Sequence, residues 1–204
     1  MRLAVISCGI GNITSLVNAL QAAGGDPAVV ERPAEIGDAD KLILPGVGAF
    51  PAAMRALRET GFYDAVLEHV RGRGRLLLGI CLGMQLLADE GTEFERTPGL
   101  GLLPGRVLPI PRGEPALRLP HMGWNDLDLR ASSPLTEGLG EDRACYFVHS
   151  YHLVPADAGS VVATTSYGSD LTAMVQQGAV MGAQFHPEKS QLVGQRILAN
   201  FIRC

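Results

Sequence analysis

Short, continuous apolar runs alternate with amphipathic segments in the first half of the chain. A strand that is covered on both faces has few polar positions, so the runs predict buried parallel strands. These strands are expected over residues 3–7, 27–31, 41–44 and 76–80. Between them, apolar residues recur at a helical spacing. The corresponding helices are expected over residues 13–23, 52–59, 62–70 and 82–88. This alternation predicts an α/β fold with a doubly wound, mostly parallel sheet and helices on both faces.

The second half has a different pattern, with short strands, turns and prolines. Strands are expected over residues 106–110, 124–129, 144–149, 160–165, 172–176 and 180–185, and a terminal helix over residues 190–202. We interpret these strands as an antiparallel extension together with returning strands that complete the same sheet. The length of 204 residues fits one domain that spans the whole chain.

Charge and cysteine usage narrow the class of protein. The formal net charge is −4 and there is no basic run, so nothing indicates a nucleic-acid ligand. The first residues form too short an apolar stretch for a signal peptide, and no run approaches the roughly 18 residues of a membrane helix. The four cysteines show no CxxC spacing. We therefore expect a cytoplasmic protein with free thiols, without disulfides or a bound metal.

Cys81 stands where the fourth predicted strand passes into a helix, in the run Gly-Ile-Cys-Leu-Gly. A nucleophile between glycines at such a turn is the pattern of a nucleophile elbow, here with a thiol. The glycines are needed because the nucleophile's backbone is strained and neighbouring backbone approaches closely. The start of a helix also favours the reactive thiolate. For Cys81 alone, a buried structural cysteine is the competing interpretation.

The tripeptide His186-Pro187-Glu188 follows the last predicted strand. The proline is expected to hold this segment extended, so that the imidazole and the carboxylate project to the same side. The carboxylate can then orient the ring that accepts the thiol proton, as a Cys–His–acid relay requires. A lone His-Pro is more often structural, but its occurrence together with the elbow favours catalysis.

Together, the two motifs resemble the class I (triad) glutamine amidotransferases, and the resemblance extends almost from end to end. It implies that Cys81, His186 and Glu188 form a catalytic triad that hydrolyses glutamine to glutamate and ammonia, with no cofactor. Three further stretches resemble one branch of this family, the glutaminase subunits of imidazole glycerol phosphate synthase in histidine biosynthesis. These stretches are residues 45–50, 121–125 and 146–151.

The resemblance also implies which residues bind the substrate glutamine. They are Gly48, Gln85, Glu93, His149, Ser150 and Tyr151. Gln85 lies one helical turn after the cysteine, where its amide would hold glutamine near the sulfur. Glu93 would meet the α-ammonium group, and backbone groups at 149–151 would bind the α-carboxylate. The ordinary alternatives are a solvated helix position, an exposed loop acid and a strand terminus.

A glycine-rich turn, Pro45-Gly46-Val47-Gly48, is expected at the carboxyl end of the third strand. Attack of sulfur on a carboxamide builds negative charge on oxygen, which preorganised N–H donors must stabilise. We expect the Leu82 N–H to be one donor, and the resemblance implies the Val47 N–H as the other. The glycines on both sides would let the Gly46–Val47 peptide rotate, so this donor could be switched. A plain tight turn is the alternative.

The resemblance further implies a partner, a cyclase subunit with a (β/α)8 barrel that consumes the ammonia. Ammonia released into water is largely protonated and unreactive, so direct transfer between the subunits makes physical sense. We place four polar or aromatic positions at this interface: Asn12, Trp124, Tyr146 and Lys189.

Three alternatives remain open at this stage. The first is the glutaminase of another synthase, such as pyridoxal phosphate synthase, where Gly-Gly-Glu-Ser is expected at the oxyanion turn. The second is a catalytically silent regulatory subunit, which the intact triad disfavours. The third is a cysteine peptidase- or chaperone-like relative, which normally lacks the His-Pro-Glu segment.

Overall fold

Strands and helices alternate over the first half of the chain in the computed structural model, which describes residues 1–9, 12–113 and 116–204. The strands are β1 (Leu3–Ile6), β2 (Pro27–Val30), β3 (Lys41–Gly46), β4 (Leu76–Cys81), β5 (Glu90–Gly91), β6 (Thr97–Pro98), β7 (Gly105–Pro109), β8 (His121–Asp126), β9 (Asp128–Leu129), β10 (Ala144–His149), β11 (Tyr151–Pro155), β12 (Val161–Ser166), β13 (Asp170–Gln177) and β14 (Val180–Ala183). The helices are α1 (Ile13–Ala22), α2 (Phe50–Glu59), α3 (Phe62–Leu67), α4 (Leu82–Leu86) and α5 (Gln191–Arg203). A π-helical turn, Glu68–Gly72, continues α3.

The main sheet has eight strands in the order β2-β1-β3-β4-β14-β13-β12-β9. The five strands from β2 to β14 are parallel. The remaining three, β13, β12 and β9, are added in antiparallel orientation at one edge. The predicted mostly parallel sheet with an antiparallel extension is therefore confirmed.

Helices cover both faces of this sheet, as a doubly wound fold requires. Successive side chains of β1 alternate between two buried clusters. Leu3 and Val5 pack with residues of α1 and α5, whereas Ala4 and Ile6 pack with residues of α2 and α3. Because alternate side chains of a strand point to opposite faces, the two clusters are the two sides of the sheet.

Several strands of the second half do not join the main sheet, and here the prediction that they complete it was wrong. Strand β7 belongs to a separate four-stranded sheet of order β11-β7-β5-β6, and β8 pairs with β10 in a two-stranded ribbon. Of the predicted strand 124–129, only the part in β9 reaches the main sheet. The reason is visible in the burial pattern, because buried and more exposed residues alternate along β8 and β10. Such strands cover a core with one face only.

The carboxyl ends of β3, β4 and β14 lie side by side, because β4 pairs in parallel with both of its neighbours. Loops that follow adjacent parallel strands meet at one edge of the sheet, where doubly wound folds bind their ligands. Within the residues that the structure describes, no helix has the length and apolar content needed to cross a membrane.

Candidate active site

Cys81 ends β4 and directly precedes α4, and its backbone has φ 54° and ψ −113°. A residue with a Cβ rarely adopts a positive φ, and such a conformation costs roughly 1–3 kcal/mol. The predicted strand–turn–helix elbow is therefore present, with the strain on the cysteine itself. Cys81 is buried, with 6% of its surface exposed, and it lines a cavity.

The glycines of the elbow are needed for close packing of backbone on backbone. A Cβ on Gly83 would lie 1.8 Å from the carbonyl oxygen of Leu44, and a Cβ on Gly79 would lie 2.6 Å from the carbonyl oxygen of Gly83. Side-chain atoms essentially never approach backbone so closely. The first turn of α4 can therefore rest on β3 and β4 only because these positions lack side chains.

His186 and Glu188 follow β14 and form a buried pair. The ring atom Nδ1 of His186 lies 2.8 Å from Oε1 of Glu188, and the two side chains are 6% and 5% exposed. The predicted extended conformation was wrong beyond His186, because Pro187–Lys189 forms a 3-10 turn. A proline at the first position favours such a turn, which brings the carboxylate back to the ring.

The protonation of His186 follows from its partners. Since Nδ1 bonds to a carboxylate, the other nitrogen, Nε2, is the atom that can exchange a proton with a thiol. Nε2 is buried and has no hydrogen-bond partner among the described residues. Burial opposes the charged ring, but the nearby sulfur of Cys81 and the carboxylate of Glu188 outweigh it and raise the pKa of His186 to about 9. The ring is therefore suited to take up a proton and hold it beside the sulfur.

Ser190 holds the turn that carries this pair. Its hydroxyl donates to the carbonyl oxygen of His186 at 2.6 Å and accepts from the Tyr146 N–H at 3.0 Å. The His186 N–H in turn donates to the carbonyl oxygen of Tyr146 at 2.9 Å. The ribbon strand β10 and the catalytic turn are thus fixed to each other.

A cavity of about 300 Å³ opens at Cys81 and His186. This volume is at the small end of the roughly 300–1,000 Å³ found for ligand pockets, as suits a ligand of amino-acid size. All six residues that the resemblance assigns to substrate binding line it, namely Gly48, Gln85, Glu93, His149, Ser150 and Tyr151. The two residues of the predicted oxyanion site, Val47 and Leu82, line it as well.

Glu93 is held in place at the edge of this cavity. Its Oε2 accepts a hydrogen bond of 2.7 Å from the backbone N–H of Phe50, the first residue of α2. The carboxylate therefore caps the N-terminus of a helix, where a negative charge is stabilised. It is a positioned and partly buried acid, which disfavours the alternative of an exposed loop residue.

The amide of Gln85 has a narrower role than the sequence suggested. Its Nε2 donates to the carbonyl oxygen of Tyr151 and to Oε1 of Gln184, both at 2.9 Å. The two protons of the amide nitrogen are then in use, and only the oxygen of Gln85 is available to a ligand. Gln184, which lies two residues before His186, was not identified from the sequence.

A chain of imidazoles with fixed tautomers supports the other wall of the cavity. Nδ1 of His149 lies 2.9 Å from the carbonyl oxygen of Tyr151 and must carry the proton, because a carbonyl only accepts. Nε2 of His149 then accepts from Nδ1 of His121 at 3.0 Å, and Nε2 of His121 accepts from the Asn125 amide at 3.2 Å. Burial lowers the pKa of His149 to about 4, so this ring is neutral at pH 7. His149 is a positioned neutral ring, not a second base.

The two glycines at the oxyanion turn differ in function. Gly46 belongs to β3, and a Cβ there would lie 3.0 Å from the backbone nitrogen of Gly83. Gly48 has φ +100° and open space around it. Gly46 is therefore needed for close packing, while rotation of the Gly46–Val47 peptide stays a prediction. On the other side, Leu82 begins α4, so its N–H has no acceptor within the helix.

Three of the four positions predicted at an interface form one cluster. Trp124 and Tyr146 face each other in the register of the ribbon, with ring centroids 6.1 Å apart. The ammonium group of Lys189 lies 5.5 Å from the centre of the Tyr146 ring. Asn12 caps α1 and lies at a narrow cleft beside Val47 and Glu188.

The fold and the site together define an α/β protein in which a thiol and a histidine–carboxylate pair meet at one cavity. Residues 4–204 match the family model for the class-I glutamine amidotransferases, so the chain belongs to this family.

Individual relatives cover nearly the whole chain. The protein named imidazole glycerol phosphate synthase subunit HisH of Syntrophotalea carbinolica is 47% identical over 202 residues, which are 97% of each chain. The protein of the same name from Rhodospirillum rubrum is 48% identical over 211 residues, covering 100% of this chain and 99% of its own. Among solved structures, a glutamine amidotransferase aligns with a TM-score of 0.76 at 26% identity, covering 98% of this chain and 97% of that one. PurLQS from Thermotoga maritima, at 23% identity and a TM-score of 0.75, supports the fold alone.

Proposed function

We propose that this chain is the glutaminase subunit of imidazole glycerol phosphate synthase, an enzyme of histidine biosynthesis. The observation that carries the proposal is the convergence of the strained Cys81 and the buried His186–Glu188 pair on one amino-acid-sized cavity. Family membership supports the reaction, and full-length identities of 47% and 48% to subunits of that synthase support the pathway.

The proposed reaction begins when Nε2 of His186 accepts the proton of Cys81. The sulfur then forms a bond to the side-chain carbonyl carbon of glutamine, and the carbonyl π electrons move to oxygen. The N–H groups of Val47 and Leu82 stabilise that oxygen. As the carbonyl re-forms, the C–N bond breaks and His186 returns its proton to the leaving nitrogen, which departs as ammonia. A thioester between Cys81 and the glutamyl group remains.

Water completes the cycle. His186 removes a proton from water, the resulting hydroxide adds to the thioester carbon, and the C–S bond breaks to release glutamate. The proton then returns to the sulfur. Glu188 does not transfer a proton in either half; it fixes the Nδ1–H tautomer of His186 and stabilises the imidazolium.

The ammonia has to reach a partner before it is protonated in water. We propose a cyclase subunit with a (β/α)8 barrel as this partner, in the cytoplasm, with residues 1–204 acting as one amidotransferase domain. The cluster of Trp124, Tyr146 and Lys189 supports an interface on the ribbon side, since Trp124 is 49% exposed beside the catalytic turn. Exposed aromatic residues of this kind are enriched at protein interfaces.

A reconstitution with the cyclase subunit of the same organism tests the proposal. Wild type and Cys81→Ala are each combined with this subunit and its nucleotide substrate, with either glutamine or ammonium at high pH as nitrogen source. We expect Cys81→Ala to abolish the glutamine-dependent reaction and to leave the ammonium-dependent reaction intact. Glutamine-dependent turnover by Cys81→Ala would remove Cys81 from the mechanism. A wild-type complex that uses ammonium but not glutamine would contradict the ammonia-supply role.

A further inference from the structure

Gln184 directly follows β14 and lies two residues before His186, the proposed base. It is completely buried, and its backbone N–H donates to the carbonyl oxygen of Ala173 at 2.9 Å. The chain bends at Gln184 and Phe185. Gln184 and His186 are both near Cys81, while Phe185 between them packs against Phe147 in the core.

The amide of Gln184 contacts the sulfur from outside the substrate cavity. Its Nε2 lies 3.8 Å from Sγ of Cys81 in a donor geometry. Gln184 does not belong to the lining of the 300 Å³ cavity, so it touches the nucleophile without being placed to touch the substrate.

The neighbours of this amide determine which of its atoms faces the sulfur. The carbonyl oxygen of Tyr151 can only accept, so the Gln85 atom at 2.9 Å from it must be the nitrogen. The same nitrogen lies 2.9 Å from the side chain of Gln184, which must present its oxygen there. A flipped Gln184 amide would set two donors against each other. Its nitrogen therefore points at Cys81.

We propose that Gln184 is a further catalytic residue, which stabilises the thiolate of Cys81 by donating an N–H to its sulfur. The inference rests on the proposed function only in taking Cys81 as the nucleophile. A hydrogen bond to an anion is stronger than one between neutral groups, and burial strengthens it further. An amide does not titrate, so Gln184 supports the thiolate at every pH, whereas His186 does so only while it is protonated.

The rate of Cys81 alkylation by iodoacetamide, measured against pH on the isolated full chain, tests this directly. Gln184→Met keeps the shape of the side chain but removes the donor. A hydrogen bond of this kind corresponds to about one pH unit or more in a thiol titration. We expect the midpoint to rise by about one unit and the rate at pH values well below the midpoint to fall roughly tenfold, with an unchanged plateau at high pH. The matched control is Gln176→Met, which removes a remote glutamine that bonds to Ser133 and should reproduce the wild-type profile.

Other titratable groups surround the site, and the comparison must hold them constant. They are His186, Glu188, His149, Tyr151 and Glu93, which belong to the site or line the cavity. All of them are present in both variants, so a difference in midpoint reports on Gln184. A general structural defect would instead lower the rate at every pH, including the plateau.

The kinetic signature provides a second readout in the complex with the cyclase subunit. Gln184→Met should lower kcat for glutamine hydrolysis at pH 7 by a larger factor than it raises KM, because Gln184 contacts the sulfur directly and reaches the substrate cavity only through Gln85. If Gln184→Met does not fold, Gln85→Met is tested in its place. This variant keeps Gln184 but removes the Gln85 amide that fixes the orientation of the Gln184 amide. We expect a smaller rise of the midpoint in that variant.

An alkylation midpoint equal to that of wild type, in Gln184→Met or in its substitute, would overturn the inference even if glutaminase activity fell. Glutamine hydrolysis that survives Cys81→Ala would refute the proposed function on separate grounds.

Discussion

The strained backbone of Cys81 makes an unusual prediction about stability. At φ 54° a Cβ is unfavourable by roughly 1–3 kcal/mol, and glycine relieves this strain whereas alanine keeps it. At a buried position without a positive φ, the Gly variant is less stable than the Ala variant. Backbone entropy contributes about 0.5–1 kcal/mol to this difference, and the lost buried methyl group contributes about 0.8 kcal/mol. These opposing effects nearly cancel at Cys81 alone. A second position is therefore needed to separate them.

Cys145 provides the matched position. It is also a buried cysteine, 0% exposed against 6% for Cys81, and it lies within β10 without a positive φ. At each position, the free energy of unfolding of the Gly variant is compared with that of the Ala variant. We expect this comparison to be more favourable to glycine at Cys81 than at Cys145, by about 1–3 kcal/mol. For a protein of this size that corresponds to roughly 2–4 °C in Tm per kcal/mol.

Urea denaturation of the four variants, followed by circular dichroism, gives the two differences under identical conditions. The comparison is independent of activity, because both Cys81 variants lack the thiol. Equal Gly–Ala differences at the two positions would show that the backbone of Cys81 is not strained. The backbone geometry of the elbow would then give no reason to regard Cys81 as a poised nucleophile.

Three further predictions concern the triad, the elbow and the imidazole chain. His186→Ala should lose almost all glutaminase activity in the complex, whereas Glu188→Gln should keep a weak remainder, since only the ring transfers a proton. Rates near that of wild type in both variants would mean that another base accepts the proton of the thiol. Gly83→Ala should lower Tm and abolish activity, because its Cβ would lie 1.8 Å from a β3 carbonyl oxygen. The control Gly140→Ala has open space around the new Cβ and should leave Tm unchanged. A Gly83→Ala protein as stable as the control would show that close packing does not require glycine at position 83. The pKa of His149, lowered to about 4, means that the unfolded state binds a proton first as pH falls below roughly 6.5. The free energy of unfolding therefore decreases as pH falls from about 6.5 towards 4. Between pH 7 and pH 5, wild type should lose about 2 kcal/mol more of this free energy than His149→Asn. Equal losses would show that the folded state holds the charged ring.

The parts of the site that the sequence predicted are those encoded by short local patterns. Cys81 could be placed on an elbow because an apolar strand, two glycines and a helix occur within a few residues. The parallel strands could be predicted because their burial on both faces leaves continuous apolar runs. The pairing of His186 with Glu188 was predicted, although a 3-10 turn and not an extended segment produces it.

The parts that sequence reasoning missed depend on neighbours that are distant along the chain. Gln184 matters because Gln85, 99 residues earlier, fixes the direction of its amide. The tautomer of His149 is set by a carbonyl two residues on and by His121 across the ribbon. No periodicity marks such contacts. An alternation of apolar and polar residues likewise does not say whether β8 and β10 join the main sheet or form their own ribbon.

Covalent trapping can show whether Cys81 is the nucleophile that attacks glutamine. The chain in complex with the cyclase subunit is incubated with a glutamine analogue in which a diazoketone replaces the side-chain amide, and peptides are then mapped by mass spectrometry. We expect a single adduct on Cys81 that excess glutamine prevents and that Cys81→Ala abolishes. No adduct is expected on Cys145, because burial raises the pKa of that thiol to about 12. An adduct on another residue, or continued glutamine hydrolysis by the chain with Cys81 fully modified, would contradict the role of Cys81 as the nucleophile.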